Sequence, residues 1–434
     1  MAILVLAVLV ALPSAPPRVA PADTLEVALD SLRRRYGIPG LVAAWAEPDG
    51  RVRTVALGTT EPGGGAPMPE SARMLVGSIG KSFVAATLLA LHAEGTLALD
   101  EPVERWVGDR SWFGLLDHGP RITPRHLLTH TAGIADHVYD PAFARLWADR
   151  RSAGEPPPGP DPLIGLVADG PALFAPGDEW SYSDTGYLIL GLVVEAATGH
   201  PLFDEMRTRL LDPLGLEHTT PSDHHRLDGL VAGWVDPGNP FGLPRATVDA
   251  RGVMRWDPAV EGAGGGLIST AADLVRWGRA LFSGQALGTP YLEDLLRGVP
   301  TGADGEQALY GAGVSMRLGG ARGPVFGHAG SVPGYLSTLR HYPRHGVTLA
   351  LQLNTDGPFT GGADPGEVMA ALEDAMAAHL VPVSRPPAAG SPIGATRRTR
   401  PACFEEVQAP RPPAPETTPG TASPPPATKP RSTD

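Results

Sequence analysis

The spacing of apolar and polar residues predicts strands near both ends of the chain and helices between them. Apolar runs bounded by turn residues, which are typical of strands, occur at 41–46, 52–57, 323–327, 335–342 and 346–353. Helical spacing, with apolar residues every three or four positions, occurs at 24–36, 78–94, 187–198, 271–282 and 368–380. We therefore predict an α+β fold, an α/β/α sandwich. Strands from the two ends would form one antiparallel sheet with flanking helices, and a mainly helical insertion would lie alongside.

The two ends of the chain differ in composition from the part between them. Residues 1–12 are apolar and lead into small residues and prolines, which predicts a signal peptide at 1–22 and a secreted or periplasmic protein. Twelve apolar residues are too few to span a bilayer, so we expect no stable membrane insertion. From Arg385 onward there are thirteen prolines in fifty residues, a composition that predicts a disordered tail at 385–434.

One large folded domain is expected at 23–384, with its sheet part at about 23–77 and 310–384 and its helical part at about 95–270. The chain has 434 residues, of which 42% are hydrophobic, and this is enough for an enzyme-sized core. The net charge of -12 and the lack of a basic stripe argue against a nucleic-acid partner. Cys403 is the only cysteine, which excludes an internal disulfide and a cysteine-based metal site.

Lysine is rare in this chain. Of its 35 basic residues, only Lys81 and Lys429 are lysines. Lys81 lies three residues after Ser78 at the start of the apolar run 78–94, so on a helix the amine and the hydroxyl share one face. The first helical turn also places the serine oxygen near unpaired backbone N–H groups, which stabilise negative charge. Burial disfavours a charged ammonium, so Lys81 is a candidate general base. The alternative is an N-cap serine and a surface lysine.

Two further segments carry residues suited to chemistry. Tyr182 and Asp184 directly precede the predicted helix at 187–198, from where they can point together into a cleft, although aromatic residues at such corners usually pack. His328 lies on a predicted strand with Gly327 and Gly330 on either side, and these glycines allow the backbone to approach a ligand closely.

Together these segments resemble the serine β-lactamase and penicillin-binding superfamily. Residues 78–81 (Ser-Ile-Gly-Lys) match its S-x-x-K element and 182–184 (Tyr-Ser-Asp) match its Y-x-N element. Residues 328–330 (His-Ala-Gly) match its K-T-G element in the H-x-G form found among secreted carboxypeptidases and esterases. The connecting segments 127–134 and 265–274 are similar to the family as well. The glutamate motif of the class A β-lactamases is not found, which places the chain nearer the class C enzymes, the D-Ala-D-Ala carboxypeptidases and the esterases.

The resemblance extends over about 24–380 and implies a secreted serine hydrolase that forms an acyl-enzyme on Ser78 and cleaves esters or D-amino-acid peptides. Lys81 or Tyr182 would take the serine proton, and Tyr182 would activate water against the acyl-enzyme. The backbone N–H groups of Ser78 and Ser331 would hold the oxyanion. The implied partner is a small-molecule or peptide substrate, with peptidoglycan peptides among the candidates and with no metal or cofactor. The resemblance assigns substrate binding to three further positions, namely Asp184, His328 and Gly330.

Two of these positions depart from the family pattern. Asp184 stands where the family usually has Asn, which replaces a hydrogen-bond donor by a carboxylate beside Lys81. His328 stands where the K-T-G element has lysine. With an unperturbed pKa of about 6.5, imidazole is largely neutral at pH 7 and should hold a substrate carboxylate less firmly. Both changes favour an esterase or D-amino-acid peptidase over an efficient β-lactamase.

The main alternative function is a non-catalytic protein of the same fold that binds penicillin or peptidoglycan peptides. The presence of Ser78, Lys81 and Tyr182 argues for the enzyme. Among other kinds of site, a phosphate-binding loop at 80–82 lacks the glycine required at position 75, which is Leu75.

A zinc site is a further alternative. His126 and His130 have the i, i+4 spacing of zinc-binding pairs, but no glutamate follows His126 as metalloprotease chemistry requires. Structural histidines in a helix-loop corner are therefore the favoured interpretation of this pair.

Overall fold

The computed structural model describes residues 22–47, 49–302 and 307–383. The predicted tail and, apart from Ala22, the predicted signal peptide lie outside the described residues. Their assignment therefore stays a prediction. In the described ranges no single helix is long and apolar enough to cross a membrane, whereas one pair of helices passes that test jointly across a 78° bend.

The strands within the described residues are all paired antiparallel. Their bounds are β1 Gly40–Ala46, β2 Val52–Gly58, β3 Met74–Leu75, β4 Thr220–Pro221, β5 Leu267–Ser269, β6 Val299–Pro300, β7 Ala308–Tyr310, β8 Ser315–Arg317, β9 Val325–Val332, β10 Tyr335–Tyr342 and β11 Val347–Leu353. The larger sheet has the order β2-β1-β11-β10-β9-β8-β7-β6, and the smaller has the order β3-β5-β4. In the larger sheet β1 pairs with β11, with Leu41 opposite Leu353. The predicted sheet built from both ends of the chain is thereby confirmed.

Helices cover both faces of the larger sheet and form the insertion beside it. Within the described residues their bounds are α1 Ala22–Tyr36, α2 Gly80–Ala93, α3 Glu104–Val107, α4 Pro124–Leu128, α5 Pro141–Ala153, α6 Pro160–Gly165, α7 Asp184–Thr198, α8 Leu202–Met206, α9 Gly262–Gly265, α10 Ala271–Phe282, α11 Leu292–Leu295 and α12 Pro365–Leu380.

The alternation of side chains along β1 divides the core into two layers. Leu41 and Trp45 belong to the cluster formed with α1 and α12, whereas Val42 and Ala44 belong to the cluster formed with α2, α7 and α10. Because successive side chains of a strand point to opposite faces, a strand that is apolar at every position is buried on both sides. This arrangement confirms the predicted α/β/α sandwich.

Helix α2 is held against the sheet layer by an aromatic pair. Every residue from Gly80 to Leu91 is buried, which explains why the helix is apolar all round. The ring of Phe83 stacks on Trp277 of α10 at a centroid distance of 4.1 Å. The Trp277 indole N–H donates to the Ser82 hydroxyl at 2.9 Å. These contacts fix the first turn of α2, where Lys81 lies.

The three predicted elements that carry or adjoin the candidate site residues differ in their bounds from those in the structure. The predicted helix at 78–94 begins as the 3₁₀ turn Gly77–Ile79 before α2, and the predicted helix at 187–198 begins earlier, at Asp184. The predicted strand at 323–327 lies further along the chain, because β9 stays paired with β10 through Val332. Pairing with a neighbouring strand outweighs the low strand propensity of the glycines there.

Candidate active site

Ser78 lies in the 3₁₀ turn Gly77–Ile79, which leads directly into α2. Gly77 adopts φ +53°, in the left-handed region that favours glycine, and so turns the chain from β3 into the helix. Lys81 follows in the first turn of α2 and is fully buried. Its Nζ lies 3.0 Å from the Ser78 Oγ. The structure therefore brings together the hydroxyl and the amine that the spacing placed on one face.

Lys81 is held by a carbonyl, a carboxylate and an aromatic ring. Its Nζ donates to the Gly264 carbonyl oxygen at 2.6 Å and forms an ion pair with Asp184 Oδ1. It also lies 4.9 Å from the centroid of the Tyr182 ring. The amine therefore contacts the serine oxygen, a backbone carbonyl oxygen and a carboxylate at once. The ion pair agrees with the expectation from the sequence that the Asp184 carboxylate lies beside Lys81.

Tyr182 and Asp184 reach Lys81 from the start of α7. Tyr182 lies in the segment before the helix, Ser183 is the N-cap residue in extended conformation with φ −154°, and Asp184 is the first helical residue. The Tyr182 ring packs on the ring of His130 at a centroid distance of 4.2 Å, and its phenol oxygen is buried. The Y-x-N-like element therefore lies beside the Ser78 and Lys81 pair.

His328 lies in β9 and is fully buried beneath the site. Its Nε2 is 2.8 Å from the Tyr310 hydroxyl, and its Nδ1 is 2.5 Å from the Ala329 carbonyl oxygen. Burial, together with the positive charge of Lys81, lowers the pKa of His328 to about 3. The sequence predicts a largely neutral imidazole that holds a substrate carboxylate weakly, and the lowered pKa agrees with a neutral ring. In the structure, however, the side chain is buried and hydrogen-bonded within the protein.

The glycines of β9 allow this strand to lie directly against the turn that carries Ser78. A side chain at Gly330 would overlap the Val76 carbonyl oxygen, and a Cβ at Gly77 would lie 2.8 Å from the Ser331 nitrogen. Such approaches are possible only without side chains. They place the Ser331 backbone nitrogen next to the start of α2, whereas the Ser331 side chain is exposed.

The comparisons with known proteins agree with this arrangement. A family model described as beta-lactamase matches residues 24–373. The chain belongs to the β-lactamase family. The penicillin-binding protein 4* of Bacillus subtilis (strain 168) is 26% identical over 339 residues, which cover 76% of this chain and 71% of that protein. The esterase EstB of Burkholderia gladioli is 34% identical over 202 residues, which cover 45% of this chain and 50% of that protein. The family and its relatives identify a serine hydrolase.

The solved structures show the same β-lactamase family fold. The chain is similar to a D-stereospecific amidohydrolase from Streptomyces sp., with 29% identity, a TM-score of 0.65 and coverage of 78% of this chain and 95% of that one. It is also similar to the D-amino acid amidase from Ochrobactrum anthropi SV3, with 24% identity and a TM-score of 0.67, which shows the fold alone.

Two carboxyl groups in this β-lactamase family protein were missed by the sequence analysis. Asp136 accepts hydrogen bonds from the backbone N–H groups of Val138, at 3.1 Å, and Asp184. Burial and the nearby charge of Asp184 raise the pKa of Asp136 to about 8 and that of Glu261 to about 7. Burial therefore favours the protonated form of both carboxyl groups. Neither belongs to a motif, and only tertiary packing brings them near Lys81.

The two histidines considered as metal ligands have separate partners. His126 Nδ1 accepts a hydrogen bond from the Thr123 N–H at 3.3 Å, whereas His130 Nδ1 accepts one from the Ser183 N–H at 3.2 Å. Within the described residues, no group of three or more histidine, cysteine or acidic side chains is arranged to hold a metal ion.

Proposed function

We propose that this serine hydrolase forms an acyl-enzyme on Ser78 with esters or D-amino-acid amides whose leaving group carries no carboxylate. The observation that carries this proposal is the charge pattern of the site. The family position that usually supplies a cation holds the neutral, buried His328, and Lys81 is paired with Asp184. Among the described residues of the site, a substrate carboxylate would therefore meet no unpaired cation, and it would lie close to the Asp184 carboxylate.

The same charges support Tyr182 as the base that activates Ser78. The Lys81 amine donates to the serine oxygen and is paired with Asp184, so it is not placed to accept the serine proton. It lies over the Tyr182 ring, where a positive charge would stabilise a phenolate. The serine oxygen would attack the carbonyl carbon while its proton passes to Tyr182. The oxyanion would accept hydrogen bonds from the backbone N–H groups of Ser78 and Ser331. Tyr182 would then protonate the leaving alcohol or amine, and later take a proton from the water that releases the acid.

Two neighbours of this chain support the choice of substrates. One relative is named an esterase and one solved structure is named a D-stereospecific amidohydrolase, and each is at least 29% identical. The apolar run at 1–12 supports the further proposal that the enzyme is exported.

A matched pair of peptides tests this substrate preference. We expect an N-acylated D-Ala-D-Ala peptide with a free carboxylate to have a kcat/KM about tenfold or more below that of its methyl ester, because like charges repel. The pKa of His328 is lowered to about 3, so the imidazole is neutral above about pH 4 and gains no charge between pH 6 and pH 5. That range also lies below the pKa values of about 8 for Asp136 and about 7 for Glu261, so lowering the pH across it should leave the preference unchanged.

Release of D-alanine and of methyl D-alaninate by mass spectrometry measures both rates. Turnover of p-nitrophenyl butyrate in the same samples shows that the enzyme is active. Equal or faster cleavage of the carboxylate form would contradict the proposal and would favour a DD-carboxypeptidase.

A further inference from the structure

His130 bonds to the backbone on both sides of Tyr182. The Ser181 N–H donates to the His130 carbonyl oxygen at 3.0 Å. The Ser183 N–H donates to the His130 Nδ1 at 3.2 Å. Between these two bonds the His130 ring packs on the Tyr182 ring at 4.2 Å. One residue therefore contacts the backbone before Tyr182, the backbone after it and its ring.

This triple contact depends on an unusual backbone conformation. His130 follows the end of α4 and has φ +57°, in the left-handed region that few residues other than glycine adopt. The conformation directs its carbonyl group and its ring toward the same neighbouring segment. Strained backbone of this kind persists where the surroundings fix it, and it is concentrated at functional sites.

The chemistry of the ring shows why a histidine stands at this position. Because Nδ1 accepts a backbone N–H, the neutral ring carries its proton on Nε2. In the described part of the chain Nε2 is buried without a hydrogen-bond partner, and the rings of Tyr187 and Tyr310 lie 5.2 and 4.7 Å from the His130 ring. A phenylalanine would fill this aromatic pocket without an unpaired N–H. The acceptor at Nδ1 is therefore the property that only the histidine supplies.

His130 lies near Lys81, and a neutral imidazole is favoured at this position. Burial and the positive charge of Lys81 hold the pKa of His130 well below its ordinary value. The imidazole therefore adds no second positive charge to the site, and Nδ1 stays free of a proton and able to accept.

We propose that His130 is a positioning residue that holds the Tyr182 phenol in reacting geometry, by clamping the backbone on both sides of the tyrosine. The inference rests on the proposed role of Tyr182 as the base. His130 itself touches no reacting atom in this scheme. It acts through the position of Tyr182, and errors of about 1 Å in the position of a catalytic group lower rates by about 10².

Two substitutions at position 130 test separately the contributions of the Nδ1 hydrogen-bond acceptor and of the aromatic ring. We expect His130→Phe, which keeps a ring but loses the Nδ1 acceptor, to lower kcat for p-nitrophenyl butyrate about 100-fold with KM within about twofold. We expect His130→Asn, which keeps an acceptor oxygen and tolerates left-handed backbone, to stay within about tenfold of the parent kcat. If His130→Phe does not fold, His130→Gly, which meets the left-handed backbone without strain, replaces it. His126→Phe, in the helix that precedes His130, is the matched control and should leave kcat unchanged.

A double-mutant cycle with Tyr182→Phe tests whether His130 acts through the tyrosine. In the Tyr182→Phe background, the His130 change should alter the residual rate by less than about threefold, because residues that act as one unit are not additive. A His130→Phe enzyme within threefold of the parent, or equal losses in both backgrounds, would overturn the proposal. Failure of the proposed function is distinguishable, because Tyr182→Phe would then leave the rate of the parent protein unchanged.

Discussion

Replacing Ser78 by alanine is expected to abolish hydrolysis. With the nucleophile removed, kcat for p-nitrophenyl butyrate should fall by about 10⁴-fold or more, since loss of a serine nucleophile leaves only binding and the oxyanion donors. The fold should be unaffected, because the Ser78 side chain is not part of the core and its 3₁₀ turn depends on backbone bonds. Initial rates and a thermal melt on the same sample measure both effects.

The control for this substitution is Ser283→Ala. Ser283 lies at the end of α10, and its hydroxyl donates to the Ala280 carbonyl oxygen at 3.2 Å on an exposed surface. This variant should retain the parent kcat. A Ser78→Ala protein that keeps more than one tenth of the parent rate would show that another group is the nucleophile.

The second large effect is expected at Lys81. Lys81→Met removes the ammonium that bonds to the Ser78 oxygen and supports charge on Tyr182, and we expect kcat/KM to fall by about 10³, the size of effect seen when a preorganised donor is lost. Lys81→Arg should not restore activity. The lysine is fully buried with its Nζ 2.6 Å from the Gly264 carbonyl oxygen, and a guanidinium is larger and differently shaped.

A second substitution separates loss of chemistry from loss of stability in the Lys81 variant. Lys81→Met leaves the Asp184 carboxylate without its cation, which should lower the melting temperature. Adding Asp184→Asn removes that unpaired charge and should restore the melting temperature without restoring the rate. Recovery of both together would mean that Lys81 acts only in folding, and a Lys81→Arg enzyme as fast as the parent would exclude the proposed role of the amine.

The bounds of helices and strands with a clear apolar spacing of their own could be predicted from the sequence. Helix α10 was predicted with its observed bounds, Ala271–Phe282, and β10 with its observed bounds, Tyr335–Tyr342. The i, i+3 spacing of Ser78 and Lys81 predicted their proximity, because it depends only on helical geometry. The short strands β6, β7 and β8 could not be predicted. They have two or three residues each, which is too few to show a period, and their pairing is decided by tertiary contacts.

The pKa values and hydrogen-bond partners of the site residues could not be predicted from the sequence either, because they also depend on tertiary contacts. His328 meets its partner Tyr310 only in the folded chain, and the raised pKa values of Asp136 and Glu261 come from burial first and the charge of Asp184 second. The contribution of His130 also arises from tertiary structure, since Ser181 and Ser183 become its partners only when α4 and α7 pack together. Spacing predicted which groups lie together, but it could not show what holds them.

The most direct test of the account is the mass of the protein after incubation with a fluorophosphonate, which labels activated serine nucleophiles. We expect a single added phosphonyl group, located by peptide mapping on Ser78 within 78–93, and no label on the Ser78→Ala protein. An unlabelled parent protein, or a label on any other residue, would contradict Ser78 as the nucleophile.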